Sequence, residues 1–311
     1  MVVEQGHGTG EFFSHQALFY RDDASYLAGT VPFILDGLAR REPVAVAVPP
    51  VRLRQIDDAL GSARDRVRLL DMVEIGRNPG RLIPAVLHAF ADEHDGRVRV
   101  IGEPVWPGRS EEEYAACVQH EAMVNLSFEG RDATFLCPYD VATLSDSVVA
   151  DAEATHSGLV DTAGARPSPA YAPEAAYERY NLPLSAPDDA FSVPFDLETL
   201  SKARHVATEF AQRAGFEGDR LHDVALAVGE VCANSVEHGG GAGVLAVWPQ
   251  RDGIVCEVTD RGQPTDRLAG RKPATAYQTG GRGLLLVNQV ADLVRTHVGP
   301  EGLTTQIYLR P

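Results

Sequence analysis

Val228-Gly-Glu-Val-Cys-Ala-Asn-Ser-Val-Glu-His-Gly239 sets a carboxylate, Glu230, and an amide, Asn234, four residues apart. On a helix both side chains leave from one face. Turning about 100° per residue from Leu221, Leu221, Val224, Ala225, Val228, Cys232 and Ser235 form one apolar to neutral stripe, and Asp223, Glu230 and Asn234 gather opposite it. The pattern predicts an amphipathic helix with Asp219 as N-cap and Gly239-Gly-Gly241 as its stop. Taken alone, such a polar face is the solvated side of an ordinary helix.

The segments C-terminal to this helix change that reading. Two alternating stretches, Val244 to Trp248 and Ile254 to Thr259, read as antiparallel strands, and the second runs into Asp260-Arg-Gly262. Glycine at a strand end lets backbone approach a ligand closely, and the carboxylate beside it can accept a hydrogen bond from an exocyclic amine. A polar loop from Gln263 to Thr279 leads to Gly280-Gly-Arg-Gly-Leu-Leu-Leu286, where glycines open a helix whose free N–H groups suit phosphate. Gly302-Leu-Thr-Thr305 then introduces a closing strand, Gln306 to Leu309.

In this order, Glu230/Asn234, Asp260-x-Gly262, Gly281-x-Gly283-Leu284 and Thr304-Thr305 resemble the nucleotide-binding boxes of the GHKL ATPase superfamily. The form is most similar to its anti-sigma-factor serine/threonine kinase branch, and it covers Phe191 to Pro311. The resemblance implies an α+β two-layer sandwich of the histidine-kinase-like ATPase type that binds ATP and Mg²⁺. It implies that Asn234 coordinates Mg²⁺, Glu230 orients or deprotonates the attacking hydroxyl, and Asp260 takes the adenine amine. Gly262 would lie near the base, Gly281 and Gly283 at the phosphates, Leu284 elsewhere in the cofactor site, and Thr304 near the base. The family often has glycine directly before the threonines, whereas here Leu303 stands there and Gly302 one earlier. The chemistry asked of these residue types is reasonable: Mg²⁺ is usually held by one or two protein oxygens plus phosphates, and phosphoryl transfer rests on alignment and charge neutralisation.

Composition bounds the rest. A chain of 311 residues favours two domains, each able to bury a core. No apolar run reaches the ~18 residues of a membrane span, and the N-terminus lacks a basic segment followed by an apolar one, so a cytoplasmic location is expected. The formal charge of −16 argues against nucleic acid and anionic membrane surfaces and points to protein partners. Cys117, Cys137, Cys232 and Cys256 show no C-x-x-C spacing and read as reduced, buried thiols. Lys202 and Lys272 are the only lysines and neither stands in a G-K-[ST] context, so there is no Walker A loop.

The first half reads as an α/β unit with a mainly parallel sheet. Strand-like runs at Ala17 to Tyr20, Val44 to Val48, Val67 to Leu70, Val98 to Gly102 and Thr134 to Cys137 alternate with helices beginning near Asp22, Arg52, Gly80 and Ser110. His15-Gln-Ala-Leu-Phe-Tyr20, Tyr26-Leu27, Val31-Pro-Phe-Ile34, Gly37-Leu38, Gly102-Glu103, His120-Glu121 and Cys137-Pro-Tyr-Asp140 resemble the MEDS sensory domain over residues 13–160. That resemblance implies a RecA-like core and the sensing of a small organic compound. His15, Glu103, Trp106, Cys137 and Tyr139 are candidates to line the ligand pocket, several of them at strand ends where open sheets bind ligands. The plainer readings are that the cysteine in Thr-Phe-Leu-Cys137 is core, that His15 caps a strand and that Trp106 plugs a loop, and no spacing supports a His/Cys/Glu metal centre.

Between the halves, residues 161–190 carry five prolines among small and acidic residues, which suits a semi-rigid connector with one helical turn near Glu174 to Tyr180. Tyr171, Tyr177 and Tyr180 would pack this connector on one domain.

The expectation is a sensor-linked anti-sigma factor and serine/threonine protein kinase. The resemblance implies that it sequesters a sigma factor, phosphorylates an anti-sigma-factor antagonist and forms a homodimer. The alternative is a non-catalytic, ATP-gated protein-binding regulator. A histidine kinase is disfavoured because no H-E-x-x-P helix precedes the ATPase unit, His156 lacking the downstream proline. A DNA-binding regulator is disfavoured by charge and by the lack of a basic recognition helix.

Overall fold

In the computed structural model, which describes residues 13–273 and 281–311, two sheets organise the chain. The N-terminal residues 1–12, Gly280 and residues 274–279 of the expected loop lie outside the described residues.

The first sheet has seven strands: β1 (Phe13–Tyr20), β2 (Val44–Val48), β3 (Val67–Asp71), β4 (Val98–Gly102), β5 (Ala133–Asp140), β6 (Gly158–Asp161) and β7 (Gly164–Pro167). Their order is β3-β2-β4-β5-β1-β6-β7, parallel except for the β6–β7 hairpin. All five residues of β2 are buried, as expected of a central parallel strand covered on both faces. The covering helices begin near the predicted places: α1 (Asp23–Ala39), α2 (Pro50–Leu60) and α5 (Glu111–Ser127). Asp22 with Ser25 and Ser110 with Glu113 form reciprocal caps for α1 and α5, satisfying the free donors of the first turn. The helix predicted near Gly80 is irregular: a 3₁₀ turn Pro79–Arg81 and a wide π-type turn Ile83–His88 precede α4 (Ala89–Asp92), and the one-turn α3 (Met72–Ile75) comes before them.

α6 (Asp146–Thr155) and α7 (Pro173–Arg179) complete this half. The connector is less extended than its composition suggests, because β7 joins the first sheet and α7 packs down, burying Ala176. Asp151 of α6 anchors it, accepting from Arg179 at 2.6 Å, from Tyr114 at 2.6 Å and from Tyr180.

The second sheet is antiparallel, ordered β11-β12-β10-β9-β8. Its strands are β8 (Phe191–Asp196), β9 (Ala242–Gln250), β10 (Gly253–Asp260), β11 (Leu293–Gly299) and β12 (Gly302–Leu309). Of these, β8 and β11 have no place among the strands expected from the sequence. α8 (Leu200–Arg213), α9 (Gly218–His238) and α10 (Gly283–Val290) cover one face. Alternate strand residues, Val193 and Phe195, Leu245 and Val247, Ile254, Cys256 and Val258, Ile307 and Leu309, meet Ala203, Ala207, Val224, Val228 and Cys232 of the helices. α9 begins one residue before the expected cap. Gly218, at φ +53°, turns the chain into the helix after Glu217, and Asp219 lies in the first turn, where a carboxylate favours the helix dipole.

Candidate functional site

α9 presents Val231, Asn234 and His238 to a cavity of about 560 Å³, a size suited to a nucleotide. Asp260, Gly262, Gly281, Gly283 and Leu284 line the same cavity, so five of the predicted site residues converge with Asn234 on one space. Asp260 closes β10 and is almost fully buried, its Oδ2 accepting from Ser235 Oγ at 2.5 Å and its Oδ1 from the Gly262 N–H at 2.6 Å. A carboxylate so held is oriented, not merely present. Ser235 lies one residue after Asn234 and counts in the sequence only as part of the neutral stripe; a small hydroxyl on the core side, one helical turn from the stop, is the signal that could have singled it out.

The glycines of the site are steric requirements. A Cβ on Gly239 would stand 2.5 Å from the Asp260 carboxylate carbon, and one on Gly262 would stand 2.8 Å from Asp260 Oδ1. A Cβ on Gly283 would stand 2.3 Å from Glu230 Oε2, so Glu230 lies directly against the start of α10. Gly281, at φ +78°, has a conformation that side chains rarely adopt, and α10 starts without a side-chain cap. Its first N–H groups have no intrahelical acceptor, the arrangement that binds phosphate.

Thr304 is not brought to the cavity. Along β12 the residues Thr305, Ile307 and Leu309 alternate with Thr304, Gln306 and Tyr308, and it is Ile307 and Leu309 that enter the helix-covered core. Thr304 shares the opposite face with Gln306, which bonds Glu257. Leu303 lines the cavity instead, and Gly302 is needed because a Cβ there would stand 1.9 Å from the Asp260 carbonyl oxygen.

The five candidates of the N-terminal half do not share one pocket. His15 and Cys137 meet, their Nε2 and Sγ 3.4 Å apart, because parallel pairing of Ala17 with Cys137 puts both on one sheet face. They are joined there by Glu121 of α5 and His156 at the end of α6. Tyr139 packs edge-on against His156, with 5.5 Å between ring centroids. Trp106 lies under Arg109, 3.8 Å from its guanidinium carbon, and packs beside Met72 and Leu82.

Glu103 belongs to a separate cluster, accepting from Tyr20 Oη at 3.0 Å. Burial pushes its carboxyl up to about 8, and the Tyr20 bond and the Arg52 charge offset only part of that. A pKa raised above the unfolded value of 4.5 gives stability that is full below 4.5 and lost as pH rises through about 8. Glu103→Gln should therefore flatten the pH dependence of unfolding between pH 5 and 8.5, a difference on the order of 3 kcal/mol. Urea unfolding at several pH values measures it, and parallel wild-type and variant curves would refute it.

Residues 193–309 match the histidine kinase-like ATPase domain family, and residues 14–157 match the MEDS family, the methanogen/methylotroph, DcmR sensory domain. The serine-protein kinase RsbW of Halalkalibacterium halodurans is 33% identical over 115 residues, which span 33% of this chain and 71% of that protein. The chain belongs to the RsbW family. It joins an RsbW-type ATPase domain to an N-terminal MEDS domain.

In this RsbW-family chain the two domains meet beside that cavity. Leu268 and Gly270 line the cavity between β10 and α10, Leu268 reaching the MEDS side directly and Gly270 through Asn288. Leu268 is buried in the same apolar cluster as Ile83, Leu87, Phe90 and Phe128. Beside it Arg267 pairs with Glu178 at 2.6 Å. The Gly270 carbonyl accepts from Asn288 Nδ2 at 3.1 Å, and the Asn288 carbonyl accepts from Asn78 Nδ2 at 2.9 Å. Asp292 closes the contact with Arg77 at 2.5 Å and Arg220 at 2.7 Å.

Leu268→Ala removes the apolar anchor of this cavity wall. Truncating a buried leucine costs about 2–5 kcal/mol, and the segment can relieve that cost by undocking. Faster amide exchange over 263–273 and ATP binding about tenfold weaker are expected, because the wall must be re-ordered on binding. Unchanged exchange, or unchanged or tighter binding, would sink the view that the docked segment is the binding-competent one.

Proposed function

We propose that this chain is a sensor-linked anti-sigma factor and serine/threonine protein kinase. The observation that carries the reading is the convergence of Asn234, Asp260, Gly262, Gly281, Gly283 and Leu284 on one cavity, with Glu230 against Gly283. The residues suit ATP–Mg²⁺: an oriented carboxylate at one end, an amide oxygen on α9, and an uncapped helix start at the other end. Bound there, ATP supplies the phosphoryl group and Mg²⁺ neutralises its charge. Asp260 holds the adenine amine, Asn234 offers its amide oxygen to Mg²⁺, and the N–H groups at Gly281 and Gly283 hold phosphate. Lys272, paired with Asp266 at 3.1 Å on the cavity wall, adds the one lysine in reach. Glu230 accepts the proton of the incoming serine or threonine hydroxyl.

The partners are a sigma factor, which is sequestered, and an anti-sigma-factor antagonist, which is phosphorylated, with the chain acting as a homodimer in the cytoplasm. A surface with net charge −16 suits protein partners over nucleic acid. Among the described residues no helix is long and apolar enough to cross a membrane. The MEDS domain, whose parallel order β3-β2-β4-β5-β1 is compatible with a RecA-like core, senses a small organic ligand and acts through the docked Leu268 segment. Incubation with labelled ATP, Mg²⁺ and a candidate antagonist tests the reading. Phosphoserine or phosphothreonine on the antagonist supports it. ATP binding without transfer would leave a regulator whose partner affinity ATP gates, and phosphohistidine on the chain itself would overturn it.

A further inference from the structure

Beneath the MEDS sheet, four side chains from four elements aim their donor atoms at one point. His15 comes from β1, Glu121 from α5, Cys137 from β5 and His156 from the end of α6, and the four donor atoms all lie within 4.8 Å of one another. Each residue is at least 95% buried. Glu121 Oε2 is 3.1 Å from His15 Nε2, 3.5 Å from His156 Nε2 and 3.8 Å from Cys137 Sγ. A tetrahedral Zn²⁺ site with two nitrogens, an oxygen and a sulfur has donor separations of roughly 3.3–3.6 Å. Four of the donor separations, 3.1, 3.4, 3.5 and 3.8 Å, straddle that range, and the rest reach no farther than 4.8 Å.

The hydrogen bonds behind the cluster decide which atoms face inward. Asn125 Nδ2 donates to the carbonyls of Thr155 at 2.8 Å, Glu121 at 3.1 Å and Ala122 at 3.3 Å, so its Oδ1 is the acceptor for His15 Nδ1 at 3.2 Å. His15 therefore carries its proton on Nδ1 and turns the Nε2 lone pair to the cluster. His156 Nδ1 lies 2.8 Å from the Ala152 carbonyl, which can only accept, so its Nε2 also presents a lone pair inward. Among the described residues, His156 Nε2 and Glu121 Oε1 have no hydrogen-bond partner. Two imidazole lone pairs and a carboxylate converging in a dry interior repel one another unless a cation lies between them. Metal-bound histidines have this outer arrangement, with the far nitrogen donating to a carbonyl or amide oxygen.

We propose that His15, Glu121, Cys137 and His156 bind one divalent transition metal ion of the zinc class. Cys137 binds as the thiolate, its proton passing to solvent, and thiolate with carboxylate balances the ion's two charges, which makes the site neutral and suited to burial. Imidazole and thiolate donors select zinc-class metals over Mg²⁺ or Ca²⁺. A small cavity of about 20 Å³ adjoins His15, Glu121 and Cys137 and is otherwise lined mainly by apolar residues such as Met72, Leu82 and Phe135. That volume exceeds the ~10–15 Å³ needed for one water, so the metal can take one further small ligand from this side.

The test uses the full chain without nucleotide, stripped by chelator under reducing conditions and titrated with Co²⁺. One equivalent per chain is expected, with a thiolate-to-cobalt absorption band that Zn²⁺ abolishes by displacement. Cys137→Ser should lose the band, and Cys256→Ala, in the other domain, should keep it. Asn125→Ala, which touches no metal, should weaken binding about 10–100-fold by releasing His15. A folded wild-type chain that binds neither Co²⁺ nor Zn²⁺, binds Co²⁺ without a thiolate band, or has a band that survives Cys137→Ser, overturns the proposal. If Cys137→Ser fails to fold, the wild-type band and the Asn125→Ala affinity decide.

Discussion

Asp260→Asn is expected to weaken ATP binding about a hundredfold, a loss of ~2.7 kcal/mol, with the fold intact. The carboxylate accepts from Ser235 Oγ and from the Gly262 N–H on its two oxygens, and its remaining lone pairs are what the adenine amine would use. Asparagine keeps one acceptor oxygen and replaces the other with an NH₂ group. The NH₂ then faces either the Gly262 N–H or Ser235 Oγ, and in either placement one of the acceptor sites open to the adenine amine is lost. A hydrogen bond to a charged group contributes about 1.5–3 kcal/mol, and an unpaired buried donor adds to the loss. Titration calorimetry with ATP and Mg²⁺ measures the affinity, and circular dichroism checks the fold. A change below about threefold would remove Asp260 from the base-binding role.

Glu230→Gln should separate binding from transfer. Glu230 is not part of the cavity lining, and its carboxylate lies against Gly283 at the start of α10. The amide has the same shape, so ATP affinity should stay within about threefold. Phosphorylation of the antagonist should fall by about 10²–10⁴, the range of a positioned general base. Single-turnover transfer measured beside ATP affinity gives both numbers. Equal transfer by the variant and the wild type would mean that Glu230 positions nothing that reacts, and loss of ATP affinity in proportion to transfer would make it a binding residue. The substitution also removes a negative charge beside an uncapped helix start, where carboxylates are favoured by about 0.3–1 kcal/mol, too little to account for a loss of that size.

The reach of sequence reading differs between the two domains for a definable reason. The ATPase motifs are local: Glu230 and Asn234 share one helix, Asp260 and Gly262 one strand end, Gly281 to Leu284 one helix start. Helical period and glycine stereochemistry make such groups visible from spacing alone. Thr304 is misplaced by its motif because a single-residue offset in a strand exchanges its two faces, and the register that puts Leu303 opposite Asp260 is a property of the paired sheet. The MEDS cluster has no local signature at all. His15, Glu121, Cys137 and His156 are brought together by the parallel pairing of β1 with β5 and β6, and by α5 and α6 lying against that face.

The amino-acid sequence by itself therefore determined most of the alternation of strands and helices, the two-part organisation and six of the residues that line the cavity beside α9. Tertiary structure decided that Ser235 orients Asp260, that Leu268 ties the cavity beside α9 to the MEDS core, and that two histidines, a cysteine and a glutamate are buried in one place. The division reflects the range of the forces involved. Periodicity, capping and turn chemistry act within a few residues. Strand order, register and domain docking depend on contacts between residues tens to hundreds of positions apart, and no spacing in the chain encodes them.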